Sequence, residues 1–154
     1  MPKPITPYIP IGSDPLIEKF ISCLMQKGKK SLARRLFWDA IALIKTRTKD
    51  APLDVFNKAL LNSTPLLEVR PRRVGGAVYQ VPVEVTAKRQ VSLPIRWIIT
   101  AARTRKGGGM AERLALELLD AASEQGGAVK KKEYILKMAQ ANKAFAHLAR
   151  TAQK

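Results

Sequence analysis

The sequence contains few of the residue types from which enzyme and metal sites are usually built. It has one cysteine, Cys23, and one histidine, His147, so it can form neither an intrachain disulfide nor a cysteine–histidine zinc site. We interpret Cys23 as a core residue and His147 as a solvated or capping side chain. Glu112 and Glu117 are predicted to lie on a helix surface rather than in a cleft that could perturb their protonation. The sequence therefore predicts no catalytic residue, no metal and no cofactor.

Long apolar runs and acidic residues are also scarce. No apolar stretch approaches the ~20 residues that a membrane-spanning helix needs, and residues 1–13 have no signal-peptide or transit-peptide pattern, so we expect no membrane partner. The chain has 12 acidic residues against 28 lysines and arginines, which gives a net charge of +16 over 154 residues. So much charge of one sign opposes compaction unless a polyanion neutralises it. This composition indicates a nucleic-acid partner.

Apolar residues at helical spacing predict a mainly α-helical fold, a bundle of about six helices with one protruding two-stranded β-hairpin. The fifth helix has the clearest pattern and is expected at the centre of the core. Leu32, Leu36, Ala40 and Ile44 are expected to face inward from the second helix. The first helix is predicted to start at a Ser13 or Asp14 cap, and the second to cover 30–46. The third is predicted to follow an Asp50 cap, and the fourth to follow a Ser92 cap with Pro94 in its first turn. The fifth is predicted to run from 111 to a stop at Gly126, and the sixth to cover 129–150.

Residues 66–86 are predicted to form the β-hairpin because apolar and polar residues alternate on both sides of a glycine pair. Gly75 and Gly76 reverse the chain, since glycine adopts positive φ freely. Leu67 is expected to face the core, with Arg70 and Arg72 on the outer face. The whole chain is predicted to consist of an extended arm over 1–13, a single helical domain over 14–150 and a tail over 151–154.

Basic and acidic residues are unevenly distributed. The segment from Val85 to Met110 contains six basic residues and no acid, and it directly follows the hairpin. Residues 27–35 are also basic, and we expect them to have no nearby acid to pair with, which favours phosphate contact. The acids gather on the fifth helix, as Glu112, Glu117, Asp120 and Glu124. This distribution predicts a helical body with an acidic side and with a basic side that lies on phosphates.

Other features leave alternatives open. Lys130, Lys131 and Lys132 fit either a solvated helix start or a phosphate contact. Trp38 and Trp97 are expected in or beside the core, whereas Tyr79 is a candidate for stacking on a base. A helical body with a proline-containing β-ribbon also fits a DNA-architectural protein that inserts its ribbon into the minor groove. RNA-binding and DNA-binding functions therefore both remain possible at this point.

Three segments carry a resemblance to a known family. They are FISCLMQKGKKSLARR at 20–35, RRVGGAVYQVPVEV at 72–85 and KKKEYILKMAQANKAFAH at 130–147, with IRWIITAAR at 95–103 between the last two. In these segments the chain resembles the bacterial-type ribosomal small-subunit protein seven family. The resemblance extends over about 14–147, which is nearly the whole chain.

The resemblance implies a six-helix bundle with a hairpin and a non-enzymatic, structural role in the small ribosomal subunit. Family members bind the 3′ major domain of the small-subunit rRNA, help to nucleate assembly of the head, and lie beside the exit-site tRNA and the mRNA exit path. The final helix of the family faces protein eleven of the small subunit. Together, the charge pattern and the resemblance suggest as rRNA-binding residues Lys27, Lys29, Lys30, Arg34, Arg35, Arg70, Lys88, Arg89, Arg96, Arg103, Arg105, Lys106, Lys130, Lys131 and Lys132. The residues expected near tRNA and mRNA are Arg72, Arg73, Gly75, Gly76, Tyr79, Gln80, Lys137, Asn142 and Lys143.

The sequence departs from the family pattern at both ends and at the hairpin tip. Residues 1–13 lack the usual basic arm, and the LARTAQK tail after His147 lacks the usual aromatic end. Ala77 replaces a small hydroxyl residue. The altered termini predict the head of an organellar ribosome, mitochondrial or plastid, with a bacterial cytoplasmic ribosome as the alternative.

Overall fold

The computed structural model describes residues 13–152, with side chains through residue 148, so most of the predicted arm lies outside the described residues. Within them the chain forms six α-helices, one β-hairpin and a final 3-10 helix, which confirms the predicted mainly α-helical fold. The elements are α1 Pro15–Leu24, α2 Lys30–Arg47, α3 Pro52–Ser63, β1 Leu67–Val74, β2 Ala77–Glu84, α4 Ala87–Thr104, α5 Met110–Ala122, α6 Gly126–Ala141 and the 3-10 helix Lys143–Ala152.

Two helix starts test the predicted caps. At α1 the carboxylate of Asp14 accepts a hydrogen bond of 2.9 Å from the Leu16 N–H, and Pro15 occupies the first turn, as predicted. At α3 the N-cap is Ala51, so the predicted Asp50 cap is wrong by one residue. Pro52 fixes that start without a side-chain cap, because proline has the helical φ and no N–H to satisfy.

Helix α5 lies at the centre of the core and packs against α2, α3, α4 and α6, which confirms the prediction. Its Leu114 and Leu118 are fully buried. Beside them the rings of Phe20, Phe37 and Phe56 meet in pairs at centroid distances of 5.2 to 5.5 Å, two of them edge-on. Each such pair contributes about 0.5–1.5 kcal/mol beyond the apolar area that it buries. The three rings therefore join α1, α2 and α3 into one core.

The predicted inward face of α2 is confirmed in the second half of the helix, where Ala40 and Ile44 are fully buried, and is wrong in the first half. Leu32 is 40% exposed and Leu36 is half-buried, whereas the buried positions include Phe37. In that half Phe37 is buried in place of Leu36, because its ring packs on two phenylalanine partners, and Ala33 is buried in place of Leu32. Trp38 is consequently 44% exposed and touches only the edge of Phe37 among the described aromatic pairs, whereas Trp97 packs against the core as expected.

Helix α4 starts earlier than predicted. Thr86 is its N-cap and Ala87 its first residue, so the predicted cap at Ser92 is wrong. Pro94 is buried in the helix interior, where it has no N–H to donate to the carbonyl of Gln90. The sequence pattern placed Pro94 in a first turn because that is its preferred helical position. The turns before it are instead held by tertiary contacts, since Leu93 is buried and the side-chain amide of Gln90 donates a hydrogen bond of 3.2 Å to the Val85 carbonyl. The longer helix begins directly after the hairpin.

The hairpin forms as predicted, with antiparallel pairing from Leu67↔Glu84 to Val74↔Ala77. Gly75 and Gly76 have φ of +57° and +84°, the two positive values that a two-residue type I′ turn requires. The predicted facing of β1 is wrong, because Glu68 is buried and Leu67 is only half-buried. Arg70 and Arg72 share the face of Glu68 because alternate residues of a strand lie on the same side. This face is turned toward the body of the protein.

The predicted last helix is divided in two. α6 ends at Ala141, and the 3-10 helix starts at Lys143. Strand β2 packs against this 3-10 helix, and the rings of Tyr79 and Phe145 lie 5.0 Å apart between centroids. The hairpin is therefore supported along one face by the end of the chain, while its tip projects. No helix in the described part of the chain is both long and apolar enough to cross a membrane.

Candidate nucleic-acid interface

Three arginines form a line along α4. Arg89, Arg96 and Arg103 are spaced by seven residues, close to two helical turns, so they lie on one face at intervals of about 10 Å. Arg96 and Arg103 are exposed, and Arg89 is half-buried. We call these residues the arginine ridge. The face opposite, with Ile95 and Ile98, is buried in the core and holds the ridge outward.

One end of the ridge meets the loop between α1 and α2. Lys27, Lys29, Arg103 and Arg113 line a groove of about 390 Å³ at this point. Arg103 also donates a hydrogen bond of 3.4 Å to the carbonyl of Leu24, which fixes it beside the loop. The structure thus brings together basic residues that the sequence pattern assigned to two separate segments.

The other end of the ridge meets the hairpin through a buried acid. Glu68 accepts hydrogen bonds from Arg70 Nε at 2.7 Å and from Arg89 Nε and Nη2 at 2.9 and 2.7 Å. Hairpin base and α4 are therefore joined by an ion-pair cluster. The sequence pattern did not identify Glu68 as a buried partner of arginines, because strand alternation placed its side chain outward. The signal that could have identified it is that this acid lies between the basic segments 27–35 and 85–110.

A second groove, of about 850 Å³, separates the hairpin from α6 and the 3-10 helix. Arg70, Arg72 and Lys143 line it over a partly apolar floor that includes Val85. Two residues expected near tRNA and mRNA, Arg72 and Lys143, are thus brought to one place.

The other residues expected near tRNA and mRNA are distributed around this groove. Arg73, Gly75, Gly76 and Gln80 are exposed at or near the hairpin tip, and Lys137 is exposed on α6. Asn142 uses its side-chain amide to hydrogen-bond the Met138 carbonyl at 2.9 Å, so it acts locally at the end of α6. One face of Tyr79 is already occupied by Phe145, which leaves less ring surface for a base than the sequence suggested.

The basic segment 27–35 has an acid partner after all. Glu18, which is 4% exposed on α1, pairs with Arg34 through both carboxylate oxygens and lies 3.7 Å from Lys30 Nζ. The expectation that this segment has no nearby acid is therefore wrong, because α1 brings Glu18 alongside α2. The hydrogen bonds from Arg34 lower the pKa of Glu18 below its ordinary 4.5, against the opposing effect of burial, and Ser13 adds a further hydrogen bond of 2.8 Å.

Glu18 should make the stability of the folded protein depend on pH in the acidic range. Because its folded pKa is lowered, its ion pairs stabilise the fold fully above pH 4.5 and lose that contribution as pH falls through the lower folded value. We expect the free energy of unfolding of Glu18→Gln to fall less steeply with acid than that of the wild type below about pH 4.5. Denaturant titrations at several pH values measure this, with the exposed Asp39→Asn as control. Parallel pH profiles for Glu18→Gln and the wild type would contradict the assignment.

Two of the suggested basic residues lie among acids rather than on the ridge. Arg105 hydrogen-bonds Glu117 at 2.8 Å and also pairs with Asp120. Burial tends to lower the pKa of Arg105, but the hydrogen bonds to Asp120 and Glu117 outweigh it and raise that pKa. Arg105 lines a groove of about 560 Å³, and Lys130 lines the same groove together with Glu124 and Glu133. The predicted single basic side is therefore interrupted at the junction of α5 and α6.

Glu117 itself corrects a prediction. It is 1% exposed, not on the surface, and its Oε1 accepts a 3.0 Å hydrogen bond from the N–H of Ala128 in the first turn of α6. A helix start leaves its first N–H groups without partners, so this carboxylate serves as a cap supplied by a neighbouring helix. By contrast the side chain of Glu112 is 47% exposed, closer to the surface position predicted for both acids, and pairs with Arg47 at 3.3 Å.

The remaining suggested residues divide into free and engaged side chains. Lys132 donates a 2.9 Å hydrogen bond to the Asn62 carbonyl, and Lys131 lies 5.4 Å from the Tyr134 ring centroid.

His147 contacts the Ala144 carbonyl at 3.0 Å, and Cys23 packs half-buried against the core. No group of three potential metal ligands occurs among the described residues. Among the residues suggested to bind rRNA, Arg35, Lys88 and Lys106 are exposed.

Comparison with known proteins identifies the family. The family model described as ribosomal protein S7p/S5e matches residues 2–143. The relative from Dictyoglomus thermophilum is 54% identical over 146 residues, which are 95% of this chain and 93% of the relative. The relative from Nitratiruptor sp. is 58% identical over 139 residues, 90% of this chain and 89% of the relative. A relative from Solibacter usitatus is 56% identical over 137 residues, 89% of this chain and 88% of the relative.

All three relatives carry the name small ribosomal subunit protein uS7. The matches extend through the α1–α2 loop, the hairpin and α4, which are the parts that build the basic surface. The family is structural and non-enzymatic, in agreement with the prediction that the chain is not an enzyme. The chain belongs to the ribosomal protein S7p/S5e family.

Proposed function

We propose that this ribosomal protein is a structural constituent of the small-subunit head, where it binds the 3′ major domain of the small-subunit rRNA and helps to nucleate head assembly. The observation that carries the proposal is the arginine ridge, which runs for about 20 Å along α4 between the basic loop groove and the hairpin base. Phosphate groups of a folded RNA present negative charge over such distances, and arginine forms bidentate hydrogen bonds to them.

We further assign the groove between the hairpin and the end of the chain to exit-site tRNA and mRNA. Arg72 and Lys143 supply cations on its two sides, and the exposed hairpin tip extends the surface. α6 is the surface that we assign to protein eleven of the small subunit. Arg105 belongs instead to the support of α6, because two carboxylates engage its guanidinium.

The compartment is a separate proposal. The altered termini favour an organellar ribosome, while the relatives described above are bacterial and lend no support to that preference. Co-sedimentation of the protein with small subunits purified from the organelle or from the bacterial cytoplasm distinguishes the two compartments.

Specific rRNA binding is tested by competition. We expect the purified full chain to prefer a folded fragment of the rRNA head domain over duplex DNA of equal length at the same salt concentration. RNA and DNA carry similar phosphate charge, so a preference must come from features that distinguish the folded RNA, namely its shape, its unpaired bases and its 2′-hydroxyl groups. Equal affinities would leave only a basic protein without ribosomal specificity.

Binding should also respond steeply to salt. If about 6–10 phosphates are neutralised, raising salt from 50 to 200 mM should weaken rRNA affinity by about 10³–10⁵-fold, because each contact releases condensed counterions. Filter binding or fluorescence anisotropy at four or more salt concentrations gives the slope. A flat response would show that the cations do not contact phosphates.

A further inference from the structure

Glu68 is a buried acid at the joint between the hairpin and α4. It lies on β1 and is 7% exposed, yet it contacts an arginine from its own strand and another from the first turn of α4. A buried carboxylate needs partners of this kind, because loss of solvation is otherwise costly.

Each arginine binds a different oxygen of Glu68 with the same edge of its guanidinium. Nε and Nη2 of Arg70 lie 2.7 and 2.6 Å from Oε1, and the corresponding atoms of Arg89 lie 2.9 and 2.7 Å from Oε2. The Nη1 groups take no part in either pairing. Since guanidinium is a planar fork of five N–H donors, its outer end stays available to a second anion. The side chains are 46% and 39% exposed, so an anion can reach them.

We propose that Glu68 is a positioning residue for RNA binding: it holds Arg70 and Arg89 as a preformed pair of guanidinium groups that receives one backbone phosphate. This inference rests on the proposed rRNA-binding function. One carboxylate between two arginines leaves a net positive charge, so the cluster still attracts phosphate. Without the carboxylate, the two like charges would repel each other, and each long side chain would have to be ordered during binding.

The position of Glu68 also links the pair to the rest of the interface. Arg89 is the first member of the arginine ridge, and Arg70 lines the groove between hairpin and chain end. Glu68 therefore sets the distance between a cation of the body and a cation of the hairpin. A phosphate bound there would lie where the two proposed RNA surfaces meet.

The variant Glu68→Gln separates positioning from simple charge repulsion, because the two effects have opposite signs. Removing a negative charge near phosphates should tighten RNA binding if repulsion is all that Glu68 contributes. If Glu68 positions the arginines, the affinity for the rRNA fragment should instead fall about tenfold, since two side chains must then be ordered on binding. Glu84→Gln is the matched control, being an exposed acid on the same hairpin, and should leave affinity unchanged or slightly higher.

A double-mutant cycle shows whether Glu68 acts through Arg89. Arg89→Ala should weaken RNA binding in the wild-type background but have much less effect when Glu68→Gln is already present. Additive effects would overturn the proposal. Circular dichroism and thermal unfolding of every variant check that the fold is kept.

One measurement needs no variant. In the free full-length protein, the Nε–H groups of Arg70 and Arg89 should give NMR signals with high order parameters and slow exchange, whereas that of Arg96 should be mobile. Equal mobility of the three would overturn the inference even if Glu68→Gln failed to fold. If the wild type binds the rRNA fragment and Glu68→Gln binds as tightly or more tightly, only this inference fails. If the wild type itself shows no preference for the fragment, the proposed function fails with it.

Discussion

Replacement of Glu117 by alanine is expected to lower the free energy of unfolding by about 3 kcal/mol. The variant leaves the N–H of Ala128 without its acceptor in a buried place and deprives Arg105 of one of its two carboxylates. The expected loss of stability is smaller than the largest losses caused by breaking a buried ion pair, because the Arg105 side chain is 26% exposed and can turn toward water. The midpoint of thermal unfolding should fall by roughly 6–12 °C in a domain of this size.

Calorimetry or circular dichroism measures the change, and the matched control lies on the same helix. Glu112→Ala removes an acid that is 47% exposed and pairs with Arg47, so it should cost no more than about 0.5 kcal/mol. Similar losses for both variants would mean that Glu117 does not cap α6. The contrast also separates the two acids that the sequence pattern had treated alike.

The double replacement of Arg96 and Arg103 by alanine is expected to weaken binding of the rRNA head-domain fragment by about 10–100-fold. Both guanidiniums are exposed on the arginine ridge, and each lost phosphate contact removes a charge-assisted hydrogen bond. The salt dependence should also become shallower by about one counterion for each lost contact. Anisotropy titrations at two salt concentrations measure both quantities.

A control with the same loss of charge is available on another part of the surface. Lys49 and Lys58 are exposed, and Lys58 lines a groove with Asp50 and Asp54. Replacing both lysines by alanine lowers the net charge by the same two units, but it should change RNA affinity much less. Equal weakening by the two double variants would show that net charge, and not the ridge, determines binding.

The sequence was sufficient to predict the elements whose patterns are long and local. The period of α5 identified the central helix, and the glycine pair with flanking alternation identified the hairpin. Errors occurred where tertiary contacts outweighed local preference. Pro94 indicated a helix start but lies inside α4, and in the first half of α2 the phenylalanine cluster buries Phe37 in place of Leu36.

The basic surface could be predicted in outline but not in its pairing. The spacing of Arg89, Arg96 and Arg103 is visible in the sequence and gives the ridge once α4 is extended to its true start. The acidic partners of Arg34, Arg89 and Arg105 could not be inferred from the sequence. These partners, Glu18, Glu68 and Glu117, lie in other elements of the fold, 12 to 21 residues away from the arginines in sequence. Strand and helix periodicity treat an acid as a surface residue, whereas each of these three is buried and paired with at least one arginine.

The contact between Tyr79 and Phe145 matters for anyone who shortens this protein. Cutting the chain after Asn142 would delete the 3-10 helix and with it the ring that packs on β2. A fragment trimmed in this way would retain the segments that form the six α-helices, but its hairpin would lose the packing that supports one face. Affinities measured on such a fragment would then describe a differently aimed ribbon, so binding experiments should retain the C-terminus.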